Sequence, residues 1–131
     1  MQLTLRDDLA FTRLTITYRD RMIDVDHVLI DTGSASTILA AREVVDLGIV
    51  PEMEDIVYTV RGVGGSEAVF TRRVDRVAVE THTLTDFEIE VGSMNYGFDL
   101  NGIVGMDFLT RAGAIINLRE LTLEFDAALS G

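Results

Sequence analysis

The sequence predicts an all-β fold, a small barrel or sandwich with one or two short helices, and three observations point to it. Apolar and polar residues alternate over many short segments, turn-forming residues separate those segments, and only two stretches space their apolar residues as a helix would.

The elements follow in chain order. Leu3 and Leu5 open the alternation, and Leu14, Ile16 and Tyr18 continue it. Arg19, Asp20 and Arg21 form a polar break between two such runs, which predicts a hairpin from Thr12 through Ile30. A first helix is expected over about Ala40 to Leu47, where Gly48 can take the left-handed cap and Ile49 can pack back on the last turn. The single proline, Pro51, sits in a polar loop. Val57 and Val60 on one side, Val69 and Phe70 on the other, predict strands flanking the glycine-rich tract Arg61 to Gly65. Val77 and Val79, then Phe87, Ile89 and Val91, mark further half-buried strands. A second helix is expected to begin near Asp107, with Asp107 capping its free N–H groups, Phe108 and Leu109 facing inward and Gly113 ending it. Leu121, Leu123 and Phe125 form the last strand.

At 131 residues and 47% hydrophobic content, the chain can bury one core, and no repeat or linker divides it, so residues 1–131 are expected to form one domain. The net charge of −11 repels phosphate backbones and anionic bilayers, which argues against nucleic acid as a partner. No apolar run approaches the roughly 18 residues that a membrane span needs. The opening MQLTLRDDLA lacks the basic head and apolar middle of a secretory signal, so a soluble, cytoplasmic protein is expected. With no cysteine there is neither a disulfide framework nor a thiolate metal site. Asp20, Asp24 and Asp26 lack the glycine and terminal glutamate of a calcium loop, and His27 and His82 lack metal-ligand spacing, so no metal or other cofactor is expected. Met22, Met53, Met94 and Met106 are expected in core or loop packing.

The chemistry concentrates in His27 to Leu39, HVLIDTGSASTIL, where three apolar residues run into Asp31, Thr32, Gly33 and Ser34. A strand thus delivers a carboxylate to a turn. A carboxylate beside apolar residues is costly unless it is hydrogen-bonded or shares its charge. The backbone N–H groups of Gly33 and Ser34 can supply those bonds, and the Ser34 hydroxyl can add another donor that favours the ionised form. The same four residues also suit a plain Asx-type turn, so the tetrapeptide alone leaves both readings open. A second apolar-to-glycine turn follows in NGIVGMDF, Asn101 to Phe108. The tract Arg61, Gly62, Val63, Gly64, Gly65 could cradle a phosphate, but no lysine follows in the required pattern and no helix signal comes after it, so a flexible hairpin tip fits better.

Together VLIDTGSASTIL (Val28 to Leu39), RGVGGSEAVF (Arg61 to Phe70) and GIVGMDFLTRAGAIINLRELTLEF (Gly102 to Phe125) resemble the retropepsin-like aspartic proteases, the retroviral proteases and their bacterial relatives. Order and spacing both match across most of the chain. The resemblance implies a small closed barrel with a flap hairpin, and an aspartic endopeptidase in which Asp31, Thr32 and Gly33 form the catalytic loop. It further implies that Ser34, Ala35, Gly62, Val63, Gly64, Gly65 and Ile103 contact a peptide or protein substrate, that Val63 lies near the flap tip, and that Thr32 bonds across a dimer beneath the active site. One Asp-Thr-Gly loop per chain makes a homodimer the implied assembly. The alternative is a non-catalytic peptide-binding or dimerisation module of the same fold. The chain departs from retroviral members at Ala35, Ser36 and Met106, where those usually carry acids and an arginine that pair near the dimer contact. An apolar contact in place of that ion pair is expected to be neutral or stabilising.

Overall fold

The computed structural model describes residues 1–62, 65–95 and 99–125. It is mostly β. In chain order, β1 (Thr4–Arg6), β2 (Leu9–Tyr18) and β3 (Arg21–Ile30) lead to β4 (Ile38–Ala40), α1 (Ala41–Val44) and a 3-10 turn over Val45–Leu47. Then come β5 (Val57–Gly62), β6 (Gly65–Val79), β7 (His82–Gly92), β8 (Gly102–Val104), α2 (Met106–Arg111), β9 (Ala114–Asn117) and β10 (Thr122–Phe125).

Eight strands form one sheet in the order β1-β2-β3-β8-β4-β7-β6-β5, with a further pairing of β2 to β6, while β9 and β10 form a separate hairpin. Most pairs are antiparallel; β3 with β8 and β4 with β7 run parallel. The alternation in the sequence maps onto one face. Leu14, Ile16, Tyr18, Val77, Val79, Phe87, Ile89, Val91 and Leu123 are all buried in one cluster, together with Phe108 and Leu109 of α2. Each large apolar side chain moved from water into such a cluster contributes about 1.5–3 kcal/mol. A second, smaller cluster of Phe11, Ile38, Ala40, Met94 and Leu100, with half-buried Leu29 and Ile103 against it, lies on the other face.

The predicted hairpin between β2 and β3 forms, with Arg19 at φ 50° and Asp20 at φ 67°. Two left-handed central residues give the turn the twist that flanking strands need. The alternation then breaks once. β2 and β3 pair Leu14 with Val25 but Thr12 with Val28, so β3 carries one extra residue, and His27 sits there at φ 56°. A bulge of this kind moves every later side chain to the opposite face. Val25 and Val28 can therefore both be buried in the main cluster, although three residues apart.

Gly48 caps the first helical stretch at φ 82°, ψ 13°, and Ile49 packs back into the core. The helix is shorter than expected and tightens to 3-10 geometry from Val45. α2 begins one residue earlier than predicted, with Gly105 at the N-cap position, so Asp107 lies within the first turn, where its carboxylate accepts from one of the free N–H groups, that of Phe108. Of the four methionines expected in packing, Met94 is fully buried, whereas Met22, Met53 and Met106 are exposed. No helix among the described residues is long and apolar enough to cross a membrane.

Candidate active site

Because of the bulge at His27, Val28 and Ile30 turn toward the main core, while Leu29 turns to the other face, where the second cluster lies. Asp31 follows two residues later and continues the ladder, its N–H donating to the Val104 carbonyl at 3.0 Å. The chain then turns. The Gly33 N–H donates to Asp31 Oδ1 at 2.9 Å, and the Ser34 N–H to the Asp31 carbonyl at 3.2 Å. Asp31 is half-buried, and Thr32, Gly33 and Ala35 are exposed. One carboxyl oxygen is thereby fixed by the backbone.

The Ser34 hydroxyl does not serve as the expected extra donor. It donates to the Ser36 carbonyl at 2.7 Å. A hydroxyl has one proton, and this one is committed within the turn.

The β8–α2 turn supports the loop from behind. Met106 N–H donates to the Ser34 carbonyl at 2.8 Å and Asp107 N–H to the Ala35 carbonyl at 3.2 Å. Gly105 is a glycine for a steric reason: a Cβ there would lie 2.3 Å from the Ser36 carbonyl oxygen. Thr37 and Asp107 complete the support. The Asp107 carboxylate accepts from the Thr37 N–H at 3.1 Å, the Thr37 hydroxyl at 2.8 Å and its neighbour Phe108 N–H at 2.7 Å. The Thr37 hydroxyl oxygen in turn accepts from the Gly105 N–H at 3.2 Å. This buried link was not foreseen; Asp107 six residues after Asn101 gave only a helix-start signal. Its partner, Thr37, had no signal at all.

Ile103 lies half-buried beside the loop, between Ile38 and Leu29 in register. Asp31, Thr32, Gly33, Ser34, Ala35 and Ile103 are thus brought together where β3 and β8 end. Gly62 and Gly65 are elsewhere, as the last register pair of the β5–β6 hairpin, and Val63 and Gly64 fall outside the described residues. β5 is tied to the sheet by the Tyr58 hydroxyl, which donates to the carboxylate of buried Glu90 on β7. Burial, then that bond and the charges of Glu90 and Glu88, push the Tyr58 phenol well above its usual range.

A cavity of about 730 Å³ opens instead beside β1 and the bulge, lined by Arg6, Arg13, Asp24, Asp26, His27 and Glu80. Asp24 and Asp26 are engaged there by Thr15 and Arg13. Among the described residues no three His, Asp or Glu side chains converge to hold a metal ion. His82 is buried and stacks on Phe125, with ring centroids 4.5 Å apart.

A family model described as aspartyl protease matches residues 14–108, a span that holds both the Asp31 loop and the β8–α2 turn. Among solved structures the chain is similar to a retropepsin-like aspartic protease from Rickettsia conorii, at 17% identity and a TM-score of 0.65, over 91% of this chain and 92% of that one. No curated protein matches the sequence.

Proposed function

The chain belongs to the aspartyl protease family, and from that premise we propose that it is an aspartic endopeptidase that works as a homodimer. The observation that carries the reading is the Asp31 turn: a half-buried carboxyl oriented by the Gly33 N–H, in a loop whose Thr32, Gly33 and Ala35 are exposed. One carboxyl cannot serve as base and acid in the same step. A two-fold axis through this loop supplies the second, since the surface is then its own complement. Exposed Met106, directly behind the loop, gives that contact an apolar element where retroviral relatives use an ion pair.

In aspartic proteases as a class two neighbouring carboxyls share one proton, and we carry that behaviour over to the Asp31 pair. The ionised Asp31 takes a proton from water as the water attacks the scissile carbonyl. The protonated Asp31 donates toward the forming oxyanion. Collapse of the tetrahedral intermediate, with a proton passed to the leaving amine, releases two peptides. Thr32 bonds across the dimer beneath the carboxyls.

Ser34, Ala35 and Ile103 line the substrate beside the catalytic loop. The β5–β6 hairpin acts as a flap in which Gly62, Val63, Gly64 and Gly65 close over the bound peptide and exclude water. Residues 1–131 act as one domain, and the β2–β6 pairing, which returns the sheet to its own second strand, supports a small closed barrel.

Peptide-library digestion at several pH values, with Asp31→Asn as control and a pepstatin-type inhibitor alongside, tests the reading. Cleavage that disappears in Asp31→Asn, by about 10³-fold or more, is the expected result. Cleavage that persists in the variant discards the mechanism. Peptide retention without products assigns a binding module instead. Sedimentation over a concentration range is expected to show specific activity rising with the dimer fraction.

A further inference from the structure

Five residues in adjacent strands stand in one register row: Thr71 on β6, Glu90 on β7, Ile38 on β4, Ile103 on β8 and Leu29 on β3. Register partners share a face of the sheet, and strand alternation places Asp31, two residues beyond Leu29, on that same face. The floor running away from Asp31 is therefore apolar through Leu29, Ile103 and Ile38, and then reaches an acid. Glu90 is 7% exposed. Its carboxyl receives one hydrogen bond among the described residues, from Tyr58 of the hairpin strand β5. Among the described residues no arginine or histidine forms an ion pair with it. The nearest cation by sequence register, Arg72, belongs to the opposite face and is held by Glu52, Asp55 and the Val50 carbonyl.

A largely buried carboxylate with one neutral donor and no cation is costly to maintain, and a cation brought by a ligand relieves that cost. From Leu29 to Glu90 the row crosses three strand spacings, ~14 Å at ~4.8 Å each, which an extended peptide spans in about four residues.

We propose that Glu90 is a specificity-determining residue that receives a lysine or arginine side chain of the substrate, about four residues or fewer from the scissile bond. The inference rests on the peptidase reading above. Tyr58 is the positioning residue: its hydroxyl fixes one carboxyl oxygen and leaves the other to the substrate cation. The net charge of −11 draws basic peptides to the whole surface as well, but that attraction is screened by salt, whereas a buried contact is screened far less.

The test compares kcat/KM for peptides that differ only in one residue, lysine against glutamine, moved along positions on both sides of the cleaved bond. The wild type is expected to prefer lysine at one position by about tenfold or more, the scale of one charge-assisted contact, and to keep that preference at roughly 0.5 M salt. Glu90→Gln is expected to level the lysine-to-glutamine ratio, and Tyr58→Phe to retain most of it. Cleavage with no basic preference at any position overturns the inference and leaves the peptidase reading standing. So does a preference that survives in Glu90→Gln, or one that salt abolishes. A Glu90→Gln variant that loses activity on all peptides alike, with the ratio intact, shows a structural role and overturns it too. Absence of cleavage of every peptide removes the peptidase reading, and the inference with it.

Discussion

A single proton separates what the sequence offered at Ser34 from what the fold does with it. A serine beside a catalytic carboxylate reads as a donor to that carboxylate, yet its hydroxyl closes the turn on Ser36 instead. Ser34→Ala is therefore expected to leave the acidic limb of the pH–rate profile within about 0.3 pH unit of wild type, and to cost about 1 kcal/mol of stability. A pH–rate profile and a denaturant titration check the two parts separately. Gly105 is the opposite case, where a small residue has a large role. Gly105→Ala drives a methyl against backbone that the Ser34 and Ala35 carbonyls hold in place, and is expected to destabilise by about 3 kcal/mol or more, read as a lowered midpoint in urea. At this scale Asp31 was legible because an aspartate after three apolar residues is unusual. The Thr37–Asp107 link was not, because its partners are 70 residues apart and neither is distinctive locally.

Long, strongly alternating strands were the legible elements. β2, β6 and β7 each carry several buried apolar residues in period two, and the Arg19–Asp20 turn announced the hairpin that joins β2 to β3. β4 and β8, three residues each, were not legible as strands, since three residues hold no period; they exist because each is paired on both sides, β8 by β3 and β4, and β4 by β8 and β7. These short strands carry the support of the Asp31 loop, so the part of the fold nearest the site was the least visible. The β5 strand adds a pH dependence of its own. Tyr58 holds its proton more tightly in the folded protein than in the unfolded chain, so its contribution is complete below about pH 10 and is lost as pH rises beyond that toward the folded value. Wild-type protein is expected to lose stability more steeply above about pH 10 than Tyr58→Phe does, measured by thermal unfolding across an alkaline series.

Across the whole molecule, the sequence conveyed the all-β class and the acidic surface, because both are sums over many residues. It did not convey which of the two sheet faces receives Asp31. That is decided by an odd-or-even count along β3, and His27 supplies the extra step. Delete His27 and β3 pairs with β2 one residue for one: Val25 stays inward, Asp26 outward, Val28 and Ile30 inward, and Asp31 keeps its face. Keep His27 but straighten the strand, and the acid enters the greasy interior at a cost of several kcal/mol. The shortened chain is therefore expected to fold cooperatively and to keep its activity, as circular dichroism melting and a peptide assay would report. A single inserted residue in this stretch is thus tolerated where a bulge absorbs it, as His27 is absorbed here, and reverses the faces where none does.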